Sequence, residues 1–313
     1  MKYVLKKTGV LIITLIMISL LAFLAFQIIP GDPTTKILGT DYTPERAEAL
    51  RAELGLDGSI ISRYFRWLIG FIKGDPGMSY SYFVPVRQVL EGKLAVTFTL
   101  SIISWIIVTV ISIPVGIAMA RYENGPLDKF NVVFNQIFMA IPAFFMGILF
   151  VYIFGLVLRW FMPGRFISFD ENFFGAIASL ILPALAISIP KAAKVAKLLR
   201  SSILNEMKND YVRTAYSRGN SRWEVIRNHV LRNALLPVIT YIAMTLSDIV
   251  AGSIIIEQVF ALPGLGRLLI SSIGNRDFPV AQTIVVIIAF VVVFMNYLAD
   301  IVTQYVDPRV RLS

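Results

Sequence analysis

Residues 205–237 read NEMKNDYVRTAYSRGNSRWEVIRNHVLRNALLP, a polar, strongly basic stretch set between two apolar ones. Hydrocarbon cannot hold so many charges, so the stretch belongs on an aqueous face. Asn209 suits a helix N-cap, and Asp210 suits the first turn, where the helix dipole favours negative charge. Met207, Tyr211 and Ala215, with Val212 and Tyr216 beside them, recur at helical spacing as an apolar stripe flanked by Arg213 and Arg218. Gly219 supplies the left-handed residue that ends a helix, and Asn220 continues the turn. Ser221 and Glu224 have the spacing of a capping box opening a second helix through Trp223, Val225 and Ile226. The stretch therefore predicts a short amphipathic helix, a glycine elbow and a helix returning to the membrane.

Composition agrees. Of 313 residues, 57% are hydrophobic and 16% charged, a balance that soluble domains rarely show and polytopic membrane proteins do. There is no cysteine, so disulfides, thiolate nucleophiles and cysteine metal sites are excluded. His229 is the single histidine, which leaves no histidine metal cluster and no catalytic triad. No catalytic or metal-ligating set is read from the chain.

Working outward, residues 9–29 form an apolar run after Lys2, Lys6 and Lys7. A signal-peptide core is about 7 to 15 residues and ends at a small-residue cleavage site. This run is longer and has no such site, so a retained first membrane helix is expected. From Gly31 to Lys93 the chain turns polar, with eight basic and eight acidic residues. Thr43 caps a helix with Pro44 at its first position, reaching about Leu54 before Gly55. Ile60 to Ile72 reads as a second, more apolar helix, and Gly74-Asp75-Pro76-Gly77 as a turn. This segment is either a cap resting on the bilayer or a surface that meets a substrate-binding protein.

Five more apolar runs follow, at about 95–120, 131–158, 173–190, 235–256 and 280–303. The expectation is an all-α polytopic membrane protein with six transmembrane helices. It divides into residues 1–30, a small helical extracytoplasmic segment at 31–93, and a core at 94–313 containing a cytoplasmic loop at 201–234. With the N-terminus inside, the inner segments hold seventeen Lys and Arg against six acids, and the outer ones twelve against twelve. Cytoplasmic loops retain basic residues, so both termini are expected in the cytoplasm. The net charge of +9 is split across loops, which argues against a nucleic-acid surface.

Within the spans, Pro114, Pro142, Pro183, Pro190 and Pro237 each favour a kink. Lys191, Lys194 and Lys197 are expected to snorkel toward lipid headgroups. Asp248 should face the bundle interior, a partner or a watery path, because a mid-span carboxylate costs about 2.5 to 3.5 kcal/mol on insertion scales. Thr245 and Ser247 beside it make a polar patch on a translocation pathway or subunit interface. Glu257, at the outer end of that helix, is read as solvated. Pro263-Gly264 and Gly266 predict a re-entrant turn of non-helical backbone.

What supplies energy is missing. The only Gly-Lys pair, Gly92-Lys93, lacks the upstream glycine of a phosphate-cradling loop. The spans also lack the Asp, Glu and His chain of a proton relay.

DYVRTAYSRG followed by RNHVLRNALLP resembles the cytoplasmic coupling loop of binding-protein-dependent ATP-binding cassette (ABC) importers, in the version carried by dipeptide and oligopeptide permeases. The family's Glu-Ala-Ala core falls on Arg213, Thr214 and Ala215 and its glycine on Gly219, so the second Ala and the Gly match. Further similar stretches are Ile29-Pro30-Gly31-Asp32-Pro33, Leu54-Gly55-Leu56-Asp57, Tyr64 to Leu68, Gly74-Asp75-Pro76-Gly77 with Ser79, Glu257 to Arg267, Asn275 to Pro279 and Asp307 to Arg311. The resemblance implies a type I ABC importer permease fold in the cell inner membrane, among membrane lipid. It implies a homologous second permease, two cassette ATPases that carry ATP and Mg, and an extracytoplasmic binding protein. It implies that Asp210, Tyr211, Val212, Arg213, Ala215, Tyr216, Arg218 and Gly219 couple to the ATPase. A self-sufficient secondary transporter or channel, and a membrane scaffold without transport, are the alternatives.

Overall fold

The computed structural model describes residues 2–28 and 33–306. The similar stretches at Ile29 to Asp32 and Asp307 to Arg311 lie outside them. Among the described residues the regular structure is helical, apart from one isolated antiparallel bridge between Met78 and Pro85. In chain order the α-helices are α1 (Lys2–Ile28), α2 (Pro33–Leu38), α3 (Pro44–Glu53), α4 (Ile60–Ile72), α5 (Val86–Leu90), α6 (Lys93–Arg121), α7 (Pro126–Ala140), α8 (Ala143–Phe150), α9 (Phe173–Glu206), α10 (Asp210–Ser217), α11 (Arg222–Val225), α12 (Leu231–Val259), α13 (Leu265–Asn275) and α14 (Phe278–Val306). Five helical stretches are long and apolar enough to cross a membrane, and a bent pair over residues 128–157 makes a sixth.

The chain divides into two compact units, one of residues 1–97 with 263–294, the other of 98–262 with 295–313. In the first, the expected cap at Thr43 is in place, and Ser59, not named from the sequence, caps α4. Thr43 Oγ1 accepts from the Arg46 amide and Ser59 Oγ from the Ser62 amide, each at 3.2 Å. The core gathers Phe26, Val86, Leu90, Leu265, Leu268, Leu269 and Ile284, joining α1, α5, α13 and α14. Gly264 is the extended N-cap of α13, which contains Gly266, so the expected non-helical turn is confined to the residues before Leu265. The Leu265 amide donates to Thr97 Oγ1 at 2.9 Å, and this gives a first-turn amide the acceptor that a helix start lacks.

In the second unit α9 is the central post, with α7, α8 and α12 packed against it. Membrane helices gain little from apolar burial against one another, so small residues and polar links decide their approach. Gly116 is one such residue, since a Cβ there would lie 2.9 Å from both Ala196 O and Leu199 Cβ. Trp105 Nε1 donates to Ile242 O at 2.8 Å, Ser188 Oγ to Ser104 O at 2.9 Å, and Ser202 Oγ to Ala234 O at 2.8 Å.

The prolines behave in two ways. α6, α9 and α12 run on through Pro114, Pro183, Pro190 and Pro237, whereas at Pro142 the third span breaks and bends by 96°. Ile141 and Pro142 are both extended there, the conformation favoured before and after a helix stop, and Pro142 becomes the N-cap of α8. The fourth span also differs from its expected limit at residue 190, because the helix carries on to Glu206 and leads the chain beyond the apolar run.

Candidate functional site

The segment between α9 and α12 folds as its punctuation dictates. α10 ends at Ser217 with Arg218 as its C-cap, Gly219 takes φ +85°, and the Asn220 side-chain Nδ2 donates to Ala215 O at 2.9 Å, satisfying a terminal carbonyl. Nothing lies within 4 Å of a Cβ built on Gly219, so its conformation and not crowding demands glycine there. The capping box is complete: the Glu224 amide donates to Ser221 Oγ at 3.4 Å, and Glu224 Oε2 accepts from the Ser221 amide at 2.7 Å. Asn209 occupies the N-cap of α10 by backbone conformation, without a side-chain cap hydrogen bond.

The predicted apolar stripe is divided by the structure. Val212 and Ala215 are buried, where α10 lies on α11 and the turn that follows it, while Tyr211 and Tyr216 are 37% and 41% exposed. The face open to a partner is therefore Tyr211, Arg213, Tyr216 and Arg218, with Val212 and Ala215 seating the helix from beneath. Amphipathicity told where the helix would be, but an eight-residue helix has two apolar sides to choose between, and the choice rests with its neighbour. Arg213 and Asp210 pair at 3.6 Å in full solvent, a contact worth little.

Several residues that fix this segment escape a reading of the sequence alone. Glu206, at the end of α9, accepts from Tyr211 Oη at 2.8 Å and from Asn233 Nδ2 at 3.1 Å, joining α9, α10 and α12. Burial, and after it the bond to Glu206, raises the Tyr211 hydroxyl above the ordinary tyrosine range. Arg222 reaches Glu123 Oε2 at 2.6 Å and Ala120 O at 3.1 Å, while Arg121 stacks over Trp223 at 4.7 Å. Asp128, 2% exposed, accepts two hydrogen bonds from Arg200 and one from the Asn124 amide. The short turn between α6 and α7 is thus fastened both to α9 and to the foot of α11. A hint was present in Asp128 standing in the first turn after Gly125-Pro126, where an acid is favoured whatever its partner.

The expected polar patch on α12 separates in the same way. Thr245 and Ser247 are buried: Thr245 Oγ1 donates to Ile242 O at 2.6 Å and Ser247 Oγ to Asn296 Oδ1 at 2.9 Å. Asp248 is exposed on the chain and close enough to Lys191 for their charges to interact. Glu257, read as solvated, is fully buried, so its place at a helix end misled. The lysines of α9 also meet protein groups: Lys194 Nζ lies over the Tyr241 ring at 5.8 Å, and Lys197 Nζ is 3.4 Å from Gln136 Oε1.

Long apolar helices linked by hydroxyl-to-backbone hydrogen bonds, carrying a polar helical elbow between two of them, define a polytopic membrane protein. The chain belongs to the family of binding-protein-dependent transport system inner membrane components, which matches residues 112–312, and the N-terminal component of the same family matches residues 1–101. It is 34% identical over 313 residues to the oligopeptide transport system permease protein AppB of Bacillus subtilis, covering 99% of each chain. To the dipeptide transport system permease protein DppB of Escherichia coli K12 it is 32% identical over 337 residues, again covering 99% of each. Among solved structures it resembles a chain of the MetNI methionine ABC transporter in an inward-facing conformation, with TM-score 0.55 and 17% identity, over 70% of this chain and 97% of that one. This last likeness is one of fold, that of an ABC importer permease. As a member of this family, the chain is a permease component of an ABC transport system.

Proposed function

We propose that this permease carries di- or oligopeptides, or a related solute, inward across the cell membrane, and that α10 is the element through which partner ATPases move it. Its relatives named for oligopeptide and dipeptide transport cover the whole chain, which supports the substrate class. The assembly consists of this chain, a homologous second permease forming a heterodimer with it, two cassette ATPases holding ATP and Mg, and an extracytoplasmic binding protein. Both termini lie in the cytoplasm, in keeping with the basic residues of the inner segments. Asp248, exposed on α12, lies on the pathway or at the interface with the second permease, where a carboxylate finds water or a partner.

The observation that carries the coupling role is the seating of α10. Val212 and Ala215 seat it on the chain from beneath and Glu206 holds the Tyr211 hydroxyl at its edge, while two tyrosines and two arginines stay exposed. A helix held in this way passes a push on Tyr211 or Tyr216 to the ends of α9 and α12. ATP binding that brings the ATPases together supplies the push, and the membrane helices answer by changing the side to which the pathway opens. Uptake of a labelled dipeptide, measured beside ATP hydrolysis by the assembled transporter, tests this. Tyr216→Asp is expected to leave the protein inserted and the ATPase active while uptake is lost. Unchanged uptake in that variant, or flux through the purified chain alone driven by a gradient, overturns the reading.

A further inference from the structure

α4 has three faces where an ordinary amphipathic helix has two. Tyr64, Trp67 and Phe71 point one way, and Tyr64 packs edge-on to Phe23 of α1 with ring centroids 5.5 Å apart. Ile61, Phe65, Ile69 and Ile72 form a second stripe at i, i+4, i+8 and i+11, and are 70%, 54%, 51% and 75% exposed. The third face carries Arg63 and Arg66, with Lys73 at the C-cap, and the helix has no acidic residue.

The depth of α4 is set by its contact with α1. Tyr64 Oη is 2.8 Å from Ser19 Oγ, and Ser19 lies nine residues before the end of a membrane-spanning helix at Ile28. At about 1.5 Å per residue that is about 13 Å inside the end of the helix. The neighbouring residues of α1, Ile16, Met17 and Leu21, are themselves 49%, 58% and 61% exposed, as lipid-facing side chains are. The bare stripe of α4 therefore continues the lipid-facing surface of α1.

On the basic side of α4 is a cavity of about 960 Å³, lined by Arg51, Arg63, Arg66 and Lys73 with the acids Glu53 and Asp75, and floored by Phe23 and Phe26 of α1. Four cations against two acids leave the lining net positive, which favours a ligand that carries negative charge. Apolar residues beneath cations, at the end of a membrane helix, match a lipid: phosphate above and chains below.

We propose that α4 lies in the plane of the leaflet surrounding the C-terminal end of α1, with Ile61, Phe65, Ile69 and Ile72 among acyl chains, and that the adjoining cavity holds the phosphodiester headgroup of a phospholipid. The segment after α1 is then a lipid-seated platform rather than a freely solvated domain.

Because the chain has no cysteine, a single introduced cysteine is its only thiol, and the same assembly without that cysteine gives the background. The protein, purified with the subunits that accompany it, is placed in vesicles of phosphatidylethanolamine and phosphatidylglycerol. Nitroxide labels at Ile61→Cys, Phe65→Cys and Ile69→Cys are expected to collide with oxygen more than with a water-soluble nickel chelate, and a label at Arg66→Cys to do the reverse. Phospholipid phosphorus retained after detergent extraction should fall in Arg63→Ala/Arg66→Ala and stay in Arg63→Lys/Arg66→Lys, with inorganic phosphate failing to displace it. Apolar-stripe labels reached by nickel, or shielded from both reagents by a protein partner, overturn the placement of α4. Displacement by inorganic phosphate, or equal phosphorus in the alanine pair with its melting temperature unchanged, overturns the headgroup site.

Discussion

The Arg200 guanidinium grips both carboxylate oxygens of Asp128, Nε to Oδ1 at 2.8 Å and Nη2 to Oδ2 at 2.7 Å. Asp128 is almost wholly buried and Arg200 only partly so, so the two ends of the pair are not equivalent. Removing the arginine strands a buried charge, an outcome that costs about 3 to 5 kcal/mol, whereas removing the carboxylate leaves a cation that can still reach water. Arg200→Ala should therefore lower the melting temperature of the detergent-solubilised protein more than Asp128→Asn. Adding Asp128→Asn to Arg200→Ala should recover part of the loss. Equal and additive losses would mean that the fork does not hold α7 to α9.

Gly219 offers a separate test of the elbow. At φ +85° a Cβ costs about 1 to 2 kcal/mol through backbone strain, with no neighbour to clash with. Gly219→Ala should fray α10, seen as faster amide exchange over residues 210–218, and Gly219→Asn should do so less. Gly219→Pro should do most damage, because proline cannot reach a positive φ and also loses the bond from the Gly219 amide to Tyr216 O at 2.9 Å. Equal exchange in all three variants would contradict the role given to the glycine.

Tyr80 carries the pH prediction. Burial pushes its hydroxyl up to about 12; Arg63 opposes the shift and Asp277 adds to it. Asp277 is fully buried and accepts from Ser79 Oγ and from the amides of Tyr80 at 3.0 Å and Ser81 at 3.3 Å, pinning the loop before α5 to the start of α14. A pKa raised in the folded state favours folding fully below the unfolded value of 10, and the gain is lost as pH climbs toward 12. Loosening of the 74–85 loop, followed by limited proteolysis, should thus begin above pH 10 and be weaker in Tyr80→Phe. A loop whose alkaline loosening is the same in both proteins would contradict it.

What the sequence disclosed, and what it withheld, follow from where each signal resides. The caps at Thr43 and Ser221 and the left-handed Gly219 are legible because the deciding contacts lie within four residues. The long spans are legible because a bilayer needs a length that few other structures use. The break at Pro142 was foreseeable as a kink, but its 96° was not, since four other prolines with similar neighbours sit in unbroken helices. Glu257, Asp128 and Asp277 are buried, which a sequence read for polarity places outside. Each lies at a helix end or turn, where local rules allow an acid in water or in a socket, and only distant donors decide. The inward turn of Val212 and Ala215 is withheld for the same reason, because α10 chooses its side by meeting the foot of α11.

The central claim is that the exposed face of α10 is gripped by an ATPase, and it can be tested in place. With a cysteine-free chain, Tyr216→Cys or Arg213→Cys provides a single reactive thiol. In intact cells a membrane-impermeant maleimide should fail to label it, and in inside-out vesicles a short thiol-to-amine cross-linker should join it to a cassette ATPase subunit, with a yield that changes when ATP is added. Labelling from outside the cell, or cross-links that never include an ATPase, would contradict the account.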